Sequence, residues 1–105
     1  MIVNISPSKR INKRYQVLMD NGKTYDFGLK DGSTYLDHKD ETLRKNYWLR
    51  HLGNNTEQKL IENLVPSPSL FSAYLLWGPY TNINKNISNL NNLWLNRKNS
   101  KKLKK

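Results

Sequence analysis

The sequence predicts a single α+β domain in which a small antiparallel sheet is covered by two helices, with a basic segment at each end. Three observations predict it. Two strand-like runs, residues 15–19 and 24–27, flank Asp20-Asn21-Gly22-Lys23, and Asn-Gly is the preferred pair for a type I′ hairpin turn because both residues tolerate positive φ. A capped stretch from Asp37 or Asp40 to Gly53 carries helical spacing, with Asp40 and Glu41 near its positive N-terminal end. Ser67-Pro68 then reads as N-cap and first residue of a helix that stops at Gly78-Pro79. With 105 residues and no internal repeat, one core is expected. The expected organisation is a basic N-terminal segment over 1–14, the α+β domain over 15–96 and a basic disordered tail over 97–105.

Taken in order, residues 1–5 suit a short strand that Ser6-Pro7-Ser8 interrupts. A two-residue hairpin loop pairs Met19 with Thr24, Leu18 with Tyr25 and Gln16 with Phe27, which places Leu18, Tyr25 and Phe27 on the face to be buried. After Gly28 and Asp31-Gly32, residues 34–36 suit a short third strand. In the central helix Leu43, Tyr47 and Arg50 share one face and Arg44, Trp48 and His51 the next, so one face packs while the other presents cations around an indole. A short helix follows from Thr56 to about Leu64, with Asn55 and Gln58 spaced as a capping box. Leu70, Phe71, Tyr74, Leu75 and Trp77 cover most of the next helix and mark it as the main core element. From Thr81 onward Ile83, Ile87, Leu90 and Trp94 recur at helical spacing among asparagines of poor helix propensity, so this last helix depends on docking.

Charge and composition narrow the function. Lys9, Arg10, Lys13 and Arg14 stand near the start, and Arg97, Lys98, Lys101, Lys102, Lys104 and Lys105 at the end. Between Tyr15 and Asn96 eight cations meet eight acids, so the whole formal charge of +10 resides in the ends. Such blocks meet polyanions, nucleic acid above all, although 15 Asn and 13 Lys against 5 Arg also match the imprint of an AT-rich genome. The absence of cysteine removes disulfides, thiolate catalysis and thiolate metal sites. No run approaches the roughly 20 apolar residues of a membrane span, and Met1-Ile2-Val3-Asn4 does not begin like a signal peptide. A soluble protein made inside a cell, without membrane contact, is expected.

Residues 27–51 hold both histidines and the densest mixture of charges and aromatics. His38 and His51 with Asp37 and Asp40 offer nitrogen and oxygen ligands, but their 13-residue separation matches no short helical metal signature, and no metal or other cofactor is expected. Neither a nucleophile elbow nor a phosphate-binding glycine loop accompanies them, and no catalytic residue is assigned. Arg44, Lys45, Arg50 and His51 with Tyr47 and Trp48 suit phosphates and unpaired bases. The alternative is that Tyr47 and Trp48 pack into the hairpin while the arginines pair with Asp37, Asp40 or Glu41. No sequence-reading motif is present, so nucleic-acid contact is expected to be nonspecific.

The spelling adds a resemblance. Gly22-Lys23, Phe27-Gly28, Tyr35, His38-Lys39-Asp40, Arg44-Lys45, Tyr47, Arg50-His51 and, downstream, Phe71-Ser72, Leu75-Leu76-Trp77 and Pro79 resemble small basic proteins of unassigned role encoded by nucleocytoplasmic large DNA viruses, chloroviruses and mimivirus-like viruses among them. It covers roughly residues 13 to 80, and where that pattern has a second Trp after Phe71 this chain has Ser72. The resemblance implies a viral origin, with a place in the virion or in the viral factory of the host cytoplasm, and transfers no catalytic residue. His38, Asp40, Tyr47 and His51 are thus motif residues without an assigned role.

Three functions follow as expectations. The first is a non-enzymatic, virion-associated protein that binds nucleic acid through its basic ends. The second is a minor capsid or assembly component that docks a viral structural protein through Trp77, Tyr80 and Trp94, since aromatics are favoured at interface hot spots. The third is a small enzyme using the region of His38 and His51. The oligomeric state is left open.

Overall fold

The computed structural model describes residues 1–103 of the backbone, with side chains described through Arg97. It is an α+β fold: a three-stranded antiparallel sheet in the order β1 (Ile2–Pro7), β2 (Lys13–Met19), β3 (Thr24–Leu29), followed by α1 (Tyr35–His38), α2 (Glu41–Leu52), α3 (Asn55–Glu62), α4 (Pro68–Phe71) and α5 (Ile83–Leu103). A π-helical turn, Ser72–Leu76, continues α4.

The hairpin forms around the expected residues but in a different turn. Gly22 N–H donates to Met19 O (3.0 Å) and Met19 N–H to Lys23 O (2.8 Å). Gly22 has φ 86°, whereas Asn21 is not in the left-handed region. This is a three-residue loop with a type I turn and a glycine bulge rather than a two-residue type I′ loop. The extra loop residue shifts the register by one, so Val17 pairs with Tyr25 and Tyr15 with Phe27. A one-residue shift exchanges the faces of one strand. Val17 and Met19 are therefore buried beside Phe27, and Leu18, expected inside, is on the open face.

Two further expectations are corrected. The third strand is β1, which pairs with β2 through Pro7 opposite Tyr15; proline is tolerated because β1 is an edge strand. Residues 2–7 thus belong to the sheet, and the expected boundary at residue 15 falls inside β2. Residues 34–36 form no strand: Thr34 caps α1, and Asp37 closes the capping box by accepting from Thr34 N (2.9 Å). Local side-chain bonds to the backbone favour this turn over extension.

Of the later helices, α2 is capped by Asp40, which accepts from Thr42 N and Leu43 N, and is followed by Gly53 as expected. Asn54, one residue before the expected cap, caps α3. That helix ends in a Schellman motif, with Val65 N–H to Leu60 O and Leu64 N–H to Ile61 O, and Leu64 takes the left-handed position at φ 52°. Ser67 caps α4 through Leu70 N, and Pro68 is its first residue, as read from the sequence. The expected disordered tail falls on the end of α5 and on residues 104–105; the latter, and the side chains of 98–105, lie outside the described residues.

The larger of two buried clusters lies between the sheet and the α4–π-turn segment. Phe71 meets Tyr25 and Phe27 at ring separations of 5.4 and 5.8 Å. Leu70, Leu75, Leu76 and, from α5, Leu90 complete it. The central helix was expected on the sheet; instead α2 packs on α3 and, through Tyr47, on Ala73 and Trp77 behind the core segment. The opposite sheet face carries polar residues such as Gln16 and Asp26 and is free to meet water, as one-sided antiparallel sheets allow.

Candidate functional site

The residues around both histidines converge on one connected structure. Tyr47, on the inner face of α2, lies between His51 (ring separation 4.1 Å) and Trp77 (4.4 Å, planes 5° apart). His38 adjoins Trp77 at 5.2 Å, and Tyr35 follows at 6.3 Å. This column joins His51 to His38, although the two are 13 positions apart in sequence. Burial pushes the Tyr47 phenol well above its ordinary pKa, with the nearby Glu57 charge acting in the same direction.

The two histidines hold opposite tautomers. His38 Nδ1 accepts from Asp40 N (2.9 Å), so in the neutral ring Nε2 carries the proton; that atom is buried and has no hydrogen-bond partner among the described residues. His51 Nδ1 lies 2.8 Å from Glu57 Oε2 and must donate, because a carboxylate only accepts, which leaves its Nε2 as an acceptor. Ser69 donates more weakly to the other Glu57 oxygen (3.4 Å).

Cations expected to act together divide into two sets. Arg14 is committed to a two-pronged bond with Asp37 at 2.7 and 2.8 Å; this bond, with help from Thr34, holds the Asp37 carboxyl well below its usual pKa. Arg44 donates through Nε to Trp77 O (3.0 Å) and Gly78 O (2.9 Å), where the end of the π turn leaves carbonyls without helical partners. Arg97 donates to Glu62 O. Guanidinium groups so placed hold elements together. By contrast Lys9, Arg10, Lys13, Lys45 and Arg50 have no carboxylate within 4.0 Å among the described residues. Lys98, Lys101, Lys102, Lys104 and Lys105 have side chains outside the described residues.

Two of the uncommitted cations, Lys13 and Arg50, line one cleft of about 400 Å³ between the sheet end and α2. Lys13 enters from β2, Arg50 and His51 from α2, and Leu76 and Trp77 form part of its apolar wall. Its carboxylate, Glu57, is already bonded to His51. Gly28 stands at the rim with φ +80°, and a Cβ there would come within 2.8 Å of Leu76 Cδ1; the chain needs glycine to turn this closely past the wall.

The expected aromatic anchors are mostly engaged internally. Trp94 donates to Leu64 O (2.8 Å) and meets Phe71, while Trp48 donates to Trp77 O (2.8 Å) and sits edge-on to Tyr74. Tyr80 is 47% exposed. Trp48 was read from the sequence as either packed or base-stacking; its bonds make it a packing residue here. Among the described residues no group of three or more histidine, aspartate or glutamate side chains is disposed to hold a metal ion, and no helix is long and apolar enough to cross a membrane.

Sequence reasoning missed Glu57, Lys13's place in the same cleft as Arg50, and Asn86. Asn86 is fully buried; Nδ2 donates to Leu75 O (2.9 Å) and Tyr80 O (2.8 Å), and Oδ1 accepts from Tyr80 N (3.0 Å). The one available signal was its place beside Ile83, Ile87 and Leu90 on the docked face of α5.

Residues 3–51 are similar to a family described as a family of unknown function (DUF5754). The matched segment runs from β1 to the His51 end of α2, so it includes Lys13, Arg50 and both histidines and stops before Glu57 and Trp77. No curated protein and no solved structure matches the chain.

Proposed function

We propose that this protein is a non-enzymatic, nonspecific binder of nucleic acid that acts through phosphate contacts. The observation that carries the reading is the location of the charge: the whole formal excess of +10 resides at the ends, and Lys9, Arg10 and Lys13 reach one end of the sheet without a carboxylate partner among the described residues. Arg14, Arg44 and Arg97 are left out of the contact set because intramolecular acceptors hold them. Tyr47 is enclosed by His51 and Trp77, so it supplies no stacking platform and the contacts are to the phosphate backbone. The viral resemblance in the sequence supports a role beside a packaged or replicating genome.

Duplex DNA binding by the full chain, followed across salt concentrations, tests this. Deleting residues 101–105 removes four lysines and is expected to lower the slope of log affinity against log salt by up to about 3 to 4, with sequence preference unchanged. No duplex binding at moderate salt refutes the proposal. Docking to a structural protein is the second reading, and exposed Tyr80 is the anchor that favours it. The enzyme reading rests on the orientation of His51 by Glu57, but no hydroxyl is hydrogen-bonded to His51 among the described residues.

A further inference from the structure

We propose that the cleft lined by Lys13 and Arg50 is a binding site for a phosphate monoester carried on a nucleoside, either a free mononucleotide or the phosphorylated end of a strand. The inference rests on the nucleic-acid reading for its ligand class and adds a discrete site to it. Three observations converge. Lys13 and Arg50 come from separate elements, β2 and α2, line the same cavity and have no carboxylate partner among the described residues. Two uncommitted cations on one cavity attract an anion, and a dianion more than a monoanion. Glu57, the carboxylate in the lining, is turned to His51 and so is partly neutralised toward an incoming anion. The fixed tautomer of His51 leaves Nε2 as a hydrogen-bond acceptor when neutral and a donor when protonated, so it can meet a ribose hydroxyl or a phosphate oxygen.

The rest of the cavity has the character of a nucleoside site. Leu76 and Trp77 contribute to the lining, and a volume of about 400 Å³ accommodates one nucleotide but not a duplex. Ser72, on the π turn, also lines the cavity, and its hydroxyl has no side-chain hydrogen bond among the described residues. Phosphate at one end and base against the apolar wall use both parts of the lining. A sulfate-like anion uses only the first and a nucleoside only the second.

The test is titration calorimetry on the full chain at low salt with three probes: adenosine 5′-monophosphate, adenosine and inorganic phosphate. The monophosphate is expected to bind about tenfold or more tightly than either of the others. Arg50→Ala is expected to weaken the monophosphate about tenfold with an unchanged melting temperature, because Arg50 is exposed and has no ion-pair partner among the described residues. Lys13→Ala, a second variant, should do the same. Equal affinity for adenosine and its monophosphate, or an Arg50→Ala protein that binds the monophosphate like the parent, overturns the site. Competition then identifies the source. Displacement by a 5′-phosphorylated oligonucleotide and not by its 5′-hydroxyl counterpart supports a strand end, and displacement by neither supports a free nucleotide. Duplex binding is measured in parallel: Arg50→Ala should lower its salt slope by no more than about 1. A parent protein that binds duplex but binds the monophosphate no more tightly than adenosine or inorganic phosphate refutes this inference alone, whereas a protein that binds no duplex refutes the broader reading.

Discussion

Replacing Asn86 by Ala tests whether one amide holds the junction between the core segment and α5. The side chain is wholly buried and makes three hydrogen bonds to backbone groups: two as donor, to Leu75 O and Tyr80 O, and one as acceptor, from Tyr80 N. Leu75 O lies in the core, where no water can replace the lost donor, and a buried group left unpaired costs about 1–3 kcal/mol. The two groups of Tyr80 lie nearer the surface and can regain water, so each contributes less. The expected loss is therefore about 2–3 kcal/mol, even after the better helix propensity of alanine offsets about 0.6 kcal/mol. At about 4 °C per kcal/mol for a domain of this size, melting should fall by roughly 10 °C. Asn86→Asp should be worse than Asn86→Ala, since it keeps the acceptor, removes both donors and sets a carboxylate against two carbonyl oxygens. Asn84→Ala, on the exposed side of the same turn, should leave melting unchanged or slightly raised. Circular dichroism melts of the three variants decide the matter. An Asn86→Ala protein that melts with the parent, or an aspartate variant more stable than the alanine one, refutes the reasoning.

Arg44→Ala should destabilise by about 1–2 kcal/mol without changing the salt slope of DNA binding: Gly78 O loses its donor, while Trp77 O keeps the Trp48 indole. Urea unfolding and DNA titration on one preparation check both halves. Gly22→Val should cost about 1 kcal/mol or more through φ alone, because nothing among the described residues lies within 4 Å of a Cβ there; Gly22→Asn should recover much of the loss in the same thermal melt. Asp37 contributes acid-sensitive stability. Its pKa is depressed in the fold, first by the Arg14 bond, so the contribution is complete above the unfolded value of about 3.9 and is lost as pH falls from there toward the folded value. Asp37→Asn should flatten the decline in melting temperature below about pH 4, and a parallel decline in both proteins counts against the pairing.

Short-range chemistry made the local elements legible in the sequence. Asp40, Ser67, Pro68 and Gly53 act within one helical turn of their positions, and their roles as caps and stops follow from the orphan amides and carbonyls that every helix end presents. The apolar run around Leu70–Leu76 identified the core segment because no other stretch buries as much. The neutral body and charged ends could be counted directly. Tertiary structure decided the hairpin register, since one loop residue separates a type I turn with a bulge from a type I′ turn, and that residue moves Leu18 out and Val17 in. It also decided which polar side chains are committed. Arg44 and Arg50 lie on one helix with the same chemistry, yet Arg44 meets carbonyls left open by a π turn 33 residues away while Arg50 faces a cleft. Fifteen asparagines look alike as composition, but Asn54 caps a helix, Asn91 pairs with both backbone groups of Ile2, and Asn86 bridges the core segment to α5. An amide is indifferent to its neighbours in sequence and is given its role by whichever unpaired backbone group the folded chain brings within 3 Å.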